Sequence, residues 1–220
     1  MKKIALFFLP LLLLSQSCSV DTYETGDGDL SFLRADFVEA KTSDSCLVAS
    51  AVTDDNETIV FSTPYKCQWA TKKDSVYRAL LYYQKKADGT DPVSISSVPV
   101  LRYTMMSDTI KVHTDPVVFE SSWISKNGKY LNLGIALKTG QVEGLDNQQV
   151  IGLICDSIVA RHTGKKDIYL RFYHNQNKVP EYYSSRLFVS MPVDDMTQGQ
   201  TVHLSIQTYK GLVEKVFDCP

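Results

Sequence analysis

The chain has 220 residues, 44% hydrophobic, 10% aromatic and 22% charged, with 23 Lys and Arg against 25 Asp and Glu. The resulting formal net charge of −2 leaves no basic footprint for a phosphate backbone, so nucleic acid is not an expected partner. Eleven glycines and eight prolines are too few for a fibrous or low-complexity chain, and the length allows one large or two small domains.

The N-terminus reads as an export signal. Lys2 and Lys3 precede an apolar run from Ile4 to Leu14, about half the roughly 20 residues that a spanning helix needs, and Pro10 interrupts it. Ser15-Gln16-Ser17-Cys18 follows. A cysteine after a small residue at this distance predicts a lipoprotein signal over 1–17 and lipidation of Cys18, although Gln16 stands where a small residue is usual. Residues 18–29, small, polar and acidic, then form a tether from the anchor. This places the protein in the cell envelope as an outer-membrane lipoprotein, with either the periplasmic or the outer face open to it.

Cys46, Cys67, Cys155 and Cys219 remain. Four cysteines in an exported chain permit two disulfides, with Cys46–Cys67 and Cys155–Cys219 plausible, and four buried thiols are the equal alternative. No CxxC is present, so no zinc knuckle or thioredoxin-like site is indicated.

From Leu30 onward, β-branched and aromatic runs alternate with turn signals. The first group comprises Phe32 to Thr42, Cys46 to Thr53, Thr58 to Ser62, Val76 to Lys85 and Val93 to Thr104. Asp54-Asp55-Asn56 turns the second strand into the third. Val76 to Lys85 mixes helix-favouring Ala79-Leu80-Leu81 with strand-favouring Tyr77, Tyr82 and Tyr83, and its bracketing by Asp74-Ser75 and Asp88-Gly89 makes it a strand. Pro64 to Lys73 leaves room for a short helix or turn around Trp69. Five strands with an insertion after the third predict a small OB-type barrel over 30–107.

The second group, over 108–220, predicts an Ig-like β-sandwich. Val117 to Ser125 and Lys129 to Lys138 flank Asn127-Gly128, a strong hairpin signal. Val150 to Ile158, Asp167 to His174, Tyr182 to Met191, Gln200 to Tyr209 and Leu212 to Phe217 complete seven strands. Alternation sets Ile168, Leu170 and Phe172 against Tyr169, Arg171 and Tyr173, and Val202, Leu204 and Ile206 against His203, Ser205 and Gln207. The fold class is therefore all-β, a five-stranded barrel followed by a sandwich.

Four phrases, Phe32 to Ala40 (FLRADFVEA), Tyr77 to Tyr83 (YRALLYY), Glu120 to Leu133 (ESSWISKNGKYLNL) and Val179 to Ser184 (VPEYYS), resemble the NigD-like lipoproteins of Gram-negative anaerobes. The resemblance covers nearly the whole chain. It implies an N-terminal OB-type domain, a C-terminal β-sandwich and a lipidated N-terminus. It also brings the immunity role proposed for a family named from a bacteriocin operon, without functional residues to carry over.

No GxSxG, HExxH, P-loop or GxGxxG occurs, so no enzyme activity and no cofactor or metal is expected. His113, His162, His174 and His203 are scattered singly; His174 and His203 could meet across adjacent strands, but nothing completes a zinc set. The acidic pairs Asp54-Asp55 and Asp194-Asp195 sit at turns, where carboxylates serve the backbone. What points to function is the aromatic content of strand surfaces. Tyr169, Arg171 and Tyr173 share one face, and Tyr182-Tyr183 stands at the start of a strand. Tyr and Arg combine a large, rigid contact area with a polar handle; the competing explanation is a face covered by the N-terminal domain. The expected partner is an envelope protein or a secreted peptide, with a glycan as the alternative ligand and Trp69, near the barrel mouth, as a small-ligand contact.

Overall fold

The structure, a computed structural model, describes residues 33–85, 89–144, 146–194 and 197–220. The signal, Cys18 and the tether lie outside the described residues, as do Asp88 and Asp195.

Five strands make the first body: β1 (Leu33–Thr42), β2 (Val48–Thr53), β3 (Thr58–Tyr65), β4 (Val76–Gln84) and β5 (Asp91–Ser97). They pair antiparallel in the order β3-β2-β1-β4-β5. The sheet closes where Phe61 of β3 bridges in parallel to Thr90, the residue before β5, with Ser62 N–H donating to Thr90 O at 3.1 Å and Thr90 N–H to Val60 O at 3.2 Å. That connectivity is an OB-type barrel. Irregular registers between Lys41 and Thr42, Val48 and Ser50, and Tyr82 and Tyr83 supply the bends that closure needs. Inward positions hold Val38, Ala40, Ala51, Phe61, Ala79, Leu81 and Tyr83. Tyr83 is fully buried and satisfies its hydroxyl by donating to Asp36 at 2.7 Å. Pro64 and Tyr65 extend β3, and the rest of the Pro64–Lys73 insertion forms turns rather than a helix, with Ala70 N–H on Cys67 O at 3.2 Å.

Val93 to Thr104 is not one strand. Barrel pairing stops at Val98, whose N–H still reaches Arg78 O, and Pro99, which has no N–H to donate, ends the ladder. Residues 99–101 instead bridge to Ser190. The chain then enters the second body as β6 (Tyr103–Met105), an eighth sandwich strand that periodicity alone assigned to the barrel.

The sandwich continues through β7 (Val118–Ile124), β8 (Tyr130–Thr139), β9 (Val150–Ala160), β10 (Lys166–Asn175), β11 (Tyr183–Pro192), β12 (Thr201–Thr208) and β13 (Gly211–Asp218). One sheet runs β13-β12-β10-β9-β6 and the other β11-β8-β7. The β10–β12 and β6–β9 pairs are parallel; β10 and β12 can be parallel because the chain crosses to the opposite sheet as β11 between them. The Asn127-Gly128 hairpin forms between β7 and β8, with Gly128 at φ +73°. The core between the sheets holds Leu131, Leu133, Ile135, Leu153, Ile168, Leu170, Phe172, Val202, Leu204 and Ile206.

All four cysteines among the described residues are free thiols: Cys67, Cys155 and Cys219 are buried and Cys46 is half-buried. Burial pushes the Cys219 thiol up to about 11, with Asp218 adding to it.

Barrel and sandwich belong to one compact unit spanning Leu33–Pro220, and their junction explains two strands buried on both faces. In β8, Leu131, Leu133 and Ile135 face the sandwich core, so Asn132, Gly134 and Ala136 face outward, yet these too are buried. In β4, Ala79 and Leu81 face the barrel core while Arg78 and Leu80 turn away and are also buried. The outward faces meet. Phe37 packs edge-on against Trp123 and Phe188 at 5.4 and 5.3 Å between ring centroids. Gly134 leaves the space that Phe188 needs, since a Cβ there would lie 3.0 Å from the ring.

Arg78 fills the middle of this junction. Its guanidinium binds Asp54 through two parallel hydrogen bonds of 2.6 and 2.7 Å and donates to Asn132 Oδ1 at 3.2 Å and Ser190 Oγ at 3.3 Å. It also lies 4.1 Å over the Tyr130 ring. Lys129 and Tyr130 reach Glu39 at 2.8 and 3.0 Å at the rim. The barrel is thereby seated on the three-stranded sheet, and none of these contacts reaches the outer face of the sandwich's five-stranded sheet.

Candidate partner-binding face

Strand alternation builds this face. With Ile168, Leu170 and Phe172 at 0–2% exposure in the core, Tyr169, Arg171 and Tyr173 must point the other way. The neighbouring registers extend them into rows. Tyr169 stands beside His203, which stands beside Val216; Arg171 stands beside Ser205, beside Glu214. Gln207 and Leu212 continue the pattern.

The Tyr169 ring stacks on the His203 imidazole, with centroids 4.5 Å apart and planes at 13°. His203 Nε2 lies 2.7 Å from Asp167 Oδ1, and Arg161 clamps the same carboxylate with Nε and Nη2. Arg171 donates from Nε and Nη2 to Asp156 at 3.0 and 2.9 Å. A groove of about 400 Å³ runs over this surface, lined by Asp156, Tyr169, His203, Ser205, Glu214 and Val216. A second, of about 520 Å³, opens beside Tyr173, Lys111 and Gly152, where His113 stands edge-on to Tyr173 at 5.9 Å. The Tyr169–His203 stack and the Arg171 guanidinium are thus tied at their edges to the carboxylates of Asp167 and Asp156. Among the described residues no three His, Cys, Asp or Glu side chains gather as a metal site.

The Arg161 and His203 hydrogen bonds hold the Asp167 carboxyl down at about 2. A carboxyl depressed in the folded state stabilises the fold above its ordinary value of 3.8 and loses that contribution as pH falls through about 2. The Tm difference between wild type and Asp167→Asn is therefore expected to be largest above pH 5 and to shrink between about pH 4 and pH 2. A difference constant with pH would contradict the clamp.

The five predicted partner residues do not form one patch. Tyr169, Arg171 and Tyr173 share the outer face. Tyr182 and Tyr183 are exposed at 70% and 57%, but they stand at the start of β11, in the three-stranded sheet, where Tyr182 packs on Gly140. Trp69 is partly buried on the barrel core and sits edge-on to Tyr77 at 5.6 Å. His174 and His203 do not meet. His174 is on the inward parity of β10, 1% exposed and bonded to Asp115 O and Gln149 at 3.0 Å each, while His203 faces out. Asp54 does more than shape its turn, since it carries the Arg78 ion pair. His203 and Ser205 were legible as the polar parity of β12. Glu214 and Val216 follow from the same alternation in β13, but their place beside Tyr169 needs the parallel β10–β12 register, which no local pattern announces.

Residues 99–218 match the family model described as the NigD-like C-terminal beta sandwich domain. Solved structures share the fold over most of the chain. A NigD-like immunity protein from Bacteroides caccae is 20% identical, with TM-score 0.62 over 83% of this chain and 91% of that one. A protein of unknown function from Bacteroides vulgatus is 13% identical, with TM-score 0.64 over 86% and 91%. A protein from Parabacteroides distasonis described as toxin-related is 17% identical, with TM-score 0.61 over 84% and 92%. At these identities the likeness is one of fold. No curated protein matches the chain.

Proposed function

Since the chain belongs to the NigD-like family, we propose that it is a lipid-anchored, non-enzymatic protein of the cell envelope that binds another envelope protein or a secreted peptide through the outer face of its five-stranded sheet. The observation that carries this is the division of the sandwich's two outer faces. The barrel covers one through Arg78, Phe37 and Glu39, while the other keeps Tyr169, Arg171 and His203 around an open groove. An immunity-type role, with a secreted peptide as partner, is a special case supported by the descriptions of the B. caccae and P. distasonis relatives. Lipidation of Cys18 and outer-membrane placement belong to the same proposal, and the tether sets the reach of the face.

In-cell crosslinking of the tagged protein, followed by mass spectrometry, tests it. One dominant envelope or secreted partner is expected, lost when Tyr169, Arg171 and Tyr173 are replaced together by serine. Capture that survives the triple replacement would move the surface elsewhere, and no reproducible capture would sink the reading.

A further inference from the structure

The five-stranded sheet ends in β13, and among the described residues no strand pairs with its free edge. An unpaired row of N–H and C=O groups is a template for one more strand. The side chains say which strand fits. On the outer face of β13, Leu212 and Val216 are 61% and 60% exposed, and Glu214 lies between them. The other carboxylates of this face are engaged, Asp156 by Arg171, Asp167 by Arg161 and His203, and Asp218 by the hydroxyl of Thr201. Glu214 has no ion-pair or hydrogen-bond partner among the described residues. Lys215 does not neutralise it, being of opposite parity with its ammonium 5.3 Å from the Phe119 ring.

Resting on the reading of this face as a partner surface, we propose that β13 accepts an extended, basic segment of the partner as an added strand, with a Lys or Arg opposite Glu214 and aliphatic side chains opposite Leu212 and Val216. A second copy of the chain is disfavoured. An antiparallel copy that sets Leu212 against Val216 puts Glu214 against Glu214, and like charges directly opposite destabilise a ladder. A partner with a base at that position meets both requirements, aliphatic contact on either side and charge complementarity at the centre.

The probe is a fluorescein-labelled peptide, Thr-Val-Thr-Lys-Thr-Val-Thr, titrated against the full-length protein by anisotropy, beside the same peptide with Glu at its centre. The Lys-centred peptide is expected to bind at least about tenfold tighter, and Glu214→Lys to reverse the order. Glu214 is exposed, so the variant is expected to keep the wild-type melting profile. Equal affinities, no binding at millimolar peptide, or a solution dimer that buries β13 would overturn the proposal. Cellular capture separates the two levels. Capture of a partner that is indifferent to Glu214→Lys sinks the edge alone, whereas absence of any partner sinks the reading beneath it.

Discussion

Arg78→Met is expected to destabilise the protein by about 3–5 kcal/mol, the range for breaking a buried ion pair by removing one partner. The loss comes from what the guanidinium leaves behind. Asp54, with a side chain only 16% exposed, keeps its charge without the two hydrogen bonds that satisfied it. Asn132 Oδ1 keeps only the Ser190 hydroxyl, in a residue whose Nδ2 is already unpaired. The Tyr130 face loses its cation. Replacing Asp54 and Arg78 together by apolar residues of similar size is expected to recover much of the loss, because no buried charge is then orphaned. Urea unfolding followed by tryptophan fluorescence reads this directly, since Trp123 lies in the junction against Phe37. A single-variant loss below about 1 kcal/mol, the range of an exposed ion pair, would show that the junction is wet and that Arg78 does not organise it.

The second large effect is Phe172→Ala, expected to destabilise by about 3–5 kcal/mol through lost transfer energy and the cavity left behind. Phe172 is 2% exposed among Leu153, Leu170 and the facing strands. Phe172→Leu, which keeps most of the volume, is expected to lose clearly less than the alanine variant. Its neighbours Arg171 and Tyr173 point to the opposite side, so the same strand carries stability on one parity and the proposed recognition on the other. Denaturant midpoints and partner capture should therefore separate: Phe172→Ala shifts the midpoint, while the Tyr169/Arg171/Tyr173 replacement chiefly affects capture. A Phe172→Ala midpoint within error of wild type would contradict the assigned strand parity.

Where a residue's environment follows from its own strand, the sequence was informative. β10 and β12 were legible because each alternates strictly, and alternation at period 2 leaves one way to bury Ile168, Leu170 and Phe172. The β7–β8 hairpin was legible because Asn127-Gly128 supplies the positive φ that its tight turn requires. Val76 to Gln84 was harder, with Arg78 to Leu81 buried without interruption. That run is a strand covered on both sides, which only the barrel–sandwich junction explains. The split at Pro99 had a local signal in the missing N–H, and the run of β-branched residues around it outweighed that signal. Arg78 gave none, because an arginine between apolar residues looks alike whether it faces water or Asp54.

The candidate site divides the same way. The shared face of Tyr169, Arg171 and Tyr173 is a property of one strand. The stack on His203, its hydrogen bond to Asp167 and the place of Glu214 beside them depend on β10 lying beside β12 and β12 beside β13. Parallel neighbours such as β10 and β12 are separated in the chain by a whole crossover strand, so their register is fixed by the packing of two sheets. Tyr182-Tyr183 shows the converse: a conspicuous aromatic pair that the topology sends to the other sheet.

The most direct measurement is cellular capture from defined positions, with a photo-crosslinking amino acid placed at residue 216, exposed on the outer face at the rim of the groove, or at residue 65, an exposed barrel tyrosine. A sheet-face binding protein captures a single partner from residue 216 and nothing from residue 65. Capture from residue 65 alone, equal capture from both, or capture from neither would contradict the assignment of the outer face as the partner surface.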